Sequence, residues 1–294
     1  MNIEYGYILA AGLGTRMGPI GLQVPKILWP LFDFPLLEYQ VRYLKNLGCK
    51  KVFINSHHLH SEVEGYLKKR QLEDVELLYE PELLGPGGCV HNLVSILGVT
   101  TGTILINNGD QFYFFDQSYL NRAMEKIKDC NAVLMGLEVA KGSHYNEIIF
   151  ENDLLVDIVK APSDRGYTTF SGMSLINIEN LKAVEGKSNF FGTVAPYQKE
   201  KVAGVNIPVA SYYDFGSELE YHTTCKKVWD ELISDSDSPL VSLCHQVGGI
   251  DSKNIHAAEA SYANQKKQVL KFLDFELTAN ELNYRDIKID LTGK

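Results

Sequence analysis

The chain has 294 residues, 45% of them hydrophobic and 22% charged, with a formal net charge of −9. That composition excludes a largely disordered chain, and the length allows one large core, or a main domain with an appendage, without disulfide or metal staples. The acidic balance argues against non-specific nucleic-acid or anionic-membrane binding, both of which need a positive surface, so any phosphate site must be local.

The first strand is expected at 5–9, and the residues before it lack the basic start and apolar core of a secretory signal. Helical period over 36–47, a strand at 51–55 and a helix at 61–69 follow, which is βαβα order. Further strands are expected at 75–79, 103–107 and 132–138, with helices at 89–97 and 117–128. This alternation predicts an α/β protein whose parallel strands are covered by helices. From Glu147 the pattern changes to short strands at 148–150, 154–160 and 169–176. A strand at 209–213 stops at Asp214, and helical period resumes over 217–232. The polar run Ser234-Asp235-Ser236-Asp237-Ser238-Pro239 has linker composition, so residues 1–233 are expected to form the main domain. Residues 240–294 form an extension with the pair Gly248-Gly249 and a helix expected over 255–273. The five cysteines, Cys49, Cys89, Cys130, Cys225 and Cys244, are scattered with no CxxC pair and read as reduced thiols. No apolar run approaches the roughly 20 residues of a membrane helix, and a cytoplasmic protein is expected.

Gly12 and Gly14 follow the first buried strand, where missing side chains let backbone N–H groups approach phosphate oxygens. A dinucleotide fold is opposed by Pro19 and Pro25, which stand where a phosphate-binding helix would begin, and by Asn55, which ends the second strand in place of an acidic ribose ligand. No Gly-x4-Gly-Lys-Ser/Thr motif occurs. Arg16 and Lys26 add two cations at the carboxyl edge of the first strand, where open α/β sheets bind ligands. The run Asn55-Ser56-His57-His58-Leu59-His60 lacks the convergent partners of a zinc site, and its histidines are expected to pack and cap the next helix. Trp29 and the aromatic stretch 112–115 read as core or pocket wall.

Leu9-Ala10-Ala11-Gly12-Leu13-Gly14-Thr15-Arg16-Met17 with Pro25-Lys26 resembles the signature of the sugar-1-phosphate nucleotidyltransferase family. Pro35 to Tyr39 resembles the family's helix start, Leu84-Gly85-Pro86-Gly87-Gly88 its base-binding loop and Asn108-Gly109-Asp110 its metal-binding strand end. Together these cover residues 3 to 116. Later, Val159-Lys160-Ala161-Pro162 resembles a Glu-Lys-x-Pro element and Tyr213-Asp214-Phe215-Gly216-Ser217 a closing Asp-x-Gly-Thr segment. The tail from about residue 233 carries no such resemblance.

The resemblance implies a mostly parallel Rossmann-like (GT-A-like) sheet flanked by helices, with an inserted acceptor-side β region and a C-terminal extension. It implies attack by a sugar 1-phosphate on the α-phosphorus of a nucleoside triphosphate, with uridine or guanosine triphosphate favoured and pyrophosphate released. Leu9, Ala10, Ala11, Gly12, Gly14, Thr15, Arg16 and Lys26 would hold the nucleotide, with Glu80, Gly85 and Gly87 at the base. Arg16, Lys26, Asp110 and Asp214 would be catalytic. Each cation contributes about 4 kcal/mol at roughly 4 Å and an effective dielectric of about 20. Two such contacts only just reach the low end of the roughly 8 kcal/mol or more that enzymes supply, so Mg2+ is expected on Asp110 and Asp214. Gln111, Tyr145, Asn146, Lys160 and Gly172 would hold the sugar phosphate. Val159 departs from a glutamate that many relatives carry there, which leaves the sugar open. A cytidylyltransferase acting on an alcohol phosphate and a catalytically silent nucleotide-binding relative stand as alternatives, and a homo-oligomer is possible on this reading.

Overall fold

The structure is a computed structural model that describes residues 3–208, 210–234, 236–250 and 269–292. Strands β1 (Ile3–Leu9), β2 (Cys49–Ser56), β3 (Val75–Tyr79) and β4 (Thr103–Asn108) are connected by helices α1 (Leu36–Asn46), α2 (His60–Arg70) and α3 (Gly85–Leu97). β1 lies between β2 and β4, parallel to both, and β3 adds in parallel to the outer side of β2. Strand period two sends consecutive residues into different cores. Ile8, Ile54 and Leu105 join one hydrophobic cluster, while Tyr7, Phe53, Ile104 and Ile106 join the other. Continuous apolar runs of this kind are what a sheet covered on both faces requires.

The chain continues through β5 (Gln111–Phe114), α4 (Gln117–Lys126), β6 (Ala132–Val139), β7 (Glu147–Glu151), β8 (Leu154–Val159), β9 (Tyr167–Asn177), β10 (Val202–Ile207) and β11 (Ser211–Asp214). The nine-stranded sheet runs β3-β2-β1-β4-β9-β6-β10-β8-β7. β9 enters antiparallel to both β4 and β6, so the parallel half ends at β4. β7 and β8 form an antiparallel hairpin at the far edge, the short-stranded region expected from Glu147 onward.

Two boundaries differ from expectation in ways that matter for the site. α3 begins at Gly85, four residues before the predicted start at Cys89, because Pro86 suits a first helical turn whose N–H groups have no partner within the helix. Gly87 and Gly88 are therefore in a helix and not in a loop. Asp214 is the last residue of β11, whose partner β5 places Asp214 opposite Gln111.

α5 (Glu218–Ile233) is capped by Ser217, whose Oγ accepts from Glu220 N at 3.2 Å. The polar run then leads into α6 (Pro239–Val247), capped by Ser238. Residues 255–268 of the helix expected over 255–273 lie outside the described residues. Its last turn is not helical: β12 (Leu270–Phe272) opens a four-stranded antiparallel meander with β13 (Phe275–Leu277), β14 (Glu281–Tyr284) and β15 (Ile287–Asp290). The alternation of buried Leu270, exposed Lys271 and buried Phe272 has the strand period. Leu240, Leu243, Leu270 and Phe275 lie in the same buried cluster as Trp29. All five cysteines are free and buried. Among the described residues no helix is long and apolar enough to cross a membrane.

Candidate active site

A cleft of about 460 Å³ opens at the carboxyl ends of β1 to β4. Leu9, Ala10, Ala11, Gly12, Gly14, Arg16 and Lys26 line one side, and Asn55, Glu80 and Gly85 line another. Asn108, Asp110, Gln111 and Tyr145 also face it. Most of the expected nucleotide residues are thus brought together. Thr15 is exposed in a short 3-10 turn, Thr15–Met17, and does not line the cleft. Gly14 has φ of 64°, a left-handed conformation that allows the loop to turn into that element. Gly12 differs: a Cβ added there would meet nothing within 4 Å, so the space beside it is open.

The charged centre is built by β5 and β11. Lys26 Nζ lies 2.8 Å from Asp110 Oδ2 and also donates to Gly216 O at 2.8 Å. Phe215 N donates to Asp110 O, which ties the segment after β11 to the turn before β5. A Cβ imagined on Gly216 would stand 2.8 Å from Asp214 Oδ1 and 3.5 Å from Asp110 Oδ2. The two carboxylates therefore converge on Gly216, although Asp214 does not line the cleft wall itself. Asp214 Oδ1 accepts from Gly216 N at 2.7 Å, and Oδ2 accepts from Tyr145 Oη, from Tyr212 Oη at 3.3 Å and from Gln111 Nε2 at 3.3 Å. Burial first, and then the Asp214 carboxylate, pushes the Tyr145 and Tyr212 hydroxyls up, so both stay protonated donors. Two carboxylates with lysine adjacent are hard oxygen donors of the kind that suit a magnesium ion. Among the described residues no group of three or more His, Cys, Asp or Glu side chains is arranged to hold a metal. His57 and His60 instead bond Glu80 O at 2.8 Å and Ser56 Oγ at 2.7 Å.

Of the three residues expected at the base, Glu80, Gly85 and Gly87, only Glu80 and Gly85 line the cleft. Glu80 is 1% exposed. Its Oε1 accepts from Asn55 Nδ2 at 2.7 Å and its Oε2 from Leu84 N at 3.0 Å. Both oxygens are already on protein donors. Gly87 faces away from the cleft: a Cβ there would fall 2.6 Å from Asn189 O, and one on Gly88 would fall 2.3 Å from Gly186 O. These two glycines admit the 186–189 segment against α3. Gly85, with φ of 71°, is the one of the three glycines that lines the cleft.

Of the residues expected to hold the sugar phosphate, Gln111 and Tyr145 face the cleft and Gly172 backs Gln111. A Cβ on Gly172 would lie 2.4 Å from Asn108 Nδ2 and 2.6 Å from Gln111 Oε1, and its φ is 84°. Asn146 and Lys160 are exposed and do not line the cleft. Val159 stands opposite Glu147 in the β7–β8 register, and Glu147 is buried and paired with Arg165 at 2.8 Å. Sequence reasoning missed Tyr212 and the structural part played by Asn55, and it named Asn108 only as part of the Asn108-Gly109-Asp110 strand end. Asn55 works through Ala10, Ala11 and Glu80, which are distant in the chain, whereas Tyr212 reaches Asp214 two residues on, a pairing that matters only because β11 brings both to the charged centre.

Residues 5–165 match the family model described as Nucleotidyl transferase. The chain is 33% identical over 122 residues to a D-glycero-alpha-D-manno-heptose 1-phosphate guanylyltransferase of Campylobacter jejuni, covering 41% of this chain and 53% of that protein. It is 25% identical over 185 residues to a putative mannose-1-phosphate guanyltransferase of Sulfolobus acidocaldarius, covering 62% of this chain and 50% of that protein. It thus spans about half the length of these curated relatives. The crystal structure of HddC from Yersinia pseudotuberculosis shares the fold, with a TM-score of 0.65 at 22% identity, covering 76% of this chain and 99% of that one. With the match extending over more than half its length, from β1 through the β7–β8 hairpin, the chain belongs to the nucleotidyl transferase family.

Proposed function

We propose that the protein transfers a nucleoside monophosphate from uridine or guanosine triphosphate to a sugar 1-phosphate, releasing pyrophosphate. The observation that carries this reading is the pairing of Lys26 with Asp110 beside Asp214, in a cleft that the Gly12–Arg16 loop also lines. The relatives supply the reaction class: those cited are named as guanylyl- and guanyltransferases of sugar 1-phosphates, and a Synechocystis relative as UTP--glucose-1-phosphate uridylyltransferase.

The reaction joins two anions, so the chain's own task is to align them and offset their repulsion. Ala10 N and Ala11 N donate inward to Asn55 Oδ1 at 2.6 and 3.2 Å. Phosphate contact is therefore assigned to the loop that follows, from Gly12 to Arg16, with the Arg16 guanidinium at the cleft. Lys26, held between Asp110 and Gly216 O, places its ammonium where charge grows on the leaving pyrophosphate. Asp110 and Asp214 would hold magnesium, which when bound supplies charge neutralisation for the phosphates. Tyr145, Tyr212 and Gln111 orient the Asp214 carboxylate. Lys160 is assigned to the acceptor phosphate together with Asn146, both exposed beside the β7–β8 hairpin and outside the cleft lining.

The test is pyrophosphate release from four triphosphates against a panel of sugar and alcohol phosphates with magnesium present. Release with UTP or GTP and a sugar 1-phosphate is expected. Release from no pair would overturn the reading, and release only with an alcohol phosphate would replace the acceptor class. Asp110→Asn should lower kcat by at least about 100-fold with an unchanged circular dichroism spectrum.

A further inference from the structure

Asn55 and Glu80 are two buried polar side chains of the cleft lining, 4% and 1% exposed. They stand at neighbouring strand ends, Asn55 next to last in β2 and Glu80 just beyond β3. Asn55 Oδ1 accepts from Ala10 N and Ala11 N, which obliges its Nδ2 to point the other way, toward Glu80 Oε1 at 2.7 Å. Glu80 Oε2 then accepts from Leu84 N, the residue just before α3. The backbone of Glu80 is itself held by Ser56 O, at 2.8 Å from Glu80 N, and by His57 Nδ1, at 2.8 Å from Glu80 O. Every donor in this series has one acceptor waiting, and the direction of each bond is set by the one before it.

We infer that Asn55 and Glu80 act together as a positioning pair that sets the separation between the start of the triphosphate loop, at Ala10 and Ala11, and the turn at Leu84 and Gly85 on the opposite side of the cleft. Glu80 does this by accepting bonds from protein, not by reading the edge of the base. The inference rests on the triphosphate reading of the cleft. It explains why a carboxylate is buried here: an acceptor is required at both ends of the side chain, and a glutamine has only one.

The experiment exploits that requirement. Glu80→Gln sets an amide NH2 against the Asn55 NH2 or against Leu84 N. Asn55→Asp sets two carboxylates face to face. In the double variant Asn55→Asp/Glu80→Gln the series is re-formed with donor and acceptor exchanged: the new carboxylate at 55 accepts from Ala10 N, Ala11 N and the amide at 80, whose oxygen accepts from Leu84 N. The net charge equals that of the wild type. Tm and calorimetric binding of non-hydrolysable α,β-methylene UTP and GTP are measured for all four proteins. Each single variant should lower Tm and weaken binding by a factor of about 10 or more, as loss of a charge-assisted hydrogen bond does. The double variant should recover both, to within about threefold of wild-type binding. Single variants that fail to fold beside a double variant that folds give the same support. A double variant no better than the worse single, or one that does not fold, overturns the inference. Recovery of Tm without recovery of binding also overturns it, because the Glu80 carboxylate would then be contacting the ligand. A wild-type protein that binds neither analogue defeats the triphosphate reading alone, and the Tm pattern still decides whether 55 and 80 are coupled.

Discussion

Two glycines two residues apart, Gly12 and Gly14, are alike in sequence and differ in cause. Gly14 needs its left-handed φ of 64° to form the loop at all. Gly12 has open space where a Cβ would go, so its missing side chain matters only when something occupies the cleft. Gly14→Ala should therefore destabilise the protein by about 1 to 2 kcal/mol, read as a lower Tm. Gly12→Ala should leave stability unchanged within about 0.5 kcal/mol and raise KM for the triphosphate. Equal Tm losses in both variants would contradict this division. The same contrast of cause applies to Gly87, which resembles a ligand-facing residue in sequence but leaves room for Asn189 O. A glycine signals that backbone approaches something, and the sequence does not say whether that is a ligand or another strand of the same chain.

At the scale of elements, strand ends were legible because buried runs such as Ile104-Leu105-Ile106 stop at polar residues, and Asp110 follows directly. The start of α3 was less legible, because its first turn contains no periodic apolar residue and is held by Pro86 and by Ser188 O, which accepts from Gly87 N at 3.0 Å. α3 also carries His91, buried, with neither ring nitrogen partnered. Burial holds its imidazole below the usual 6.5, and burial does the same for His222 in α5 despite the bond between its Nε2 and Thr278 O. The unfolded chain then binds protons that the folded protein does not as pH falls through about 6.5. Stability falls with falling pH from that point down to the lowered folded values. Thermal melts between pH 7 and pH 5 should show this decline, and His91→Leu should make its slope shallower. An unaltered slope in that variant would remove His91 as a contributor.

For the molecule as a whole, the C-terminal meander forms part of the foundation of the Lys26 segment. Trp29, fully buried, stacks edge-on against Tyr221 at 4.8 Å and lies 5.2 Å from Phe275, while Trp29 N donates to Lys26 O at 2.9 Å. Phe275→Ala should cost about 3 to 5 kcal/mol by opening this cluster. Denaturant unfolding measures that loss, and a change under about 1 kcal/mol would mean that the meander does not brace the segment. The sequence by itself determined the alternation of strands and helices, the glycine loop after β1 and the placement of Asp110 and Asp214 at strand ends, since periodicity and chain punctuation are local properties. The tertiary structure alone decided that Glu80 bonds Asn55 and Leu84 N, that Gly87 faces the 186–189 segment, that Asn146 and Lys160 stand outside the cleft and that Trp29 rests on Phe275. Each of those facts depends on a partner brought near by sheet order and packing, and the pattern around a residue carries no record of which distant group will meet it.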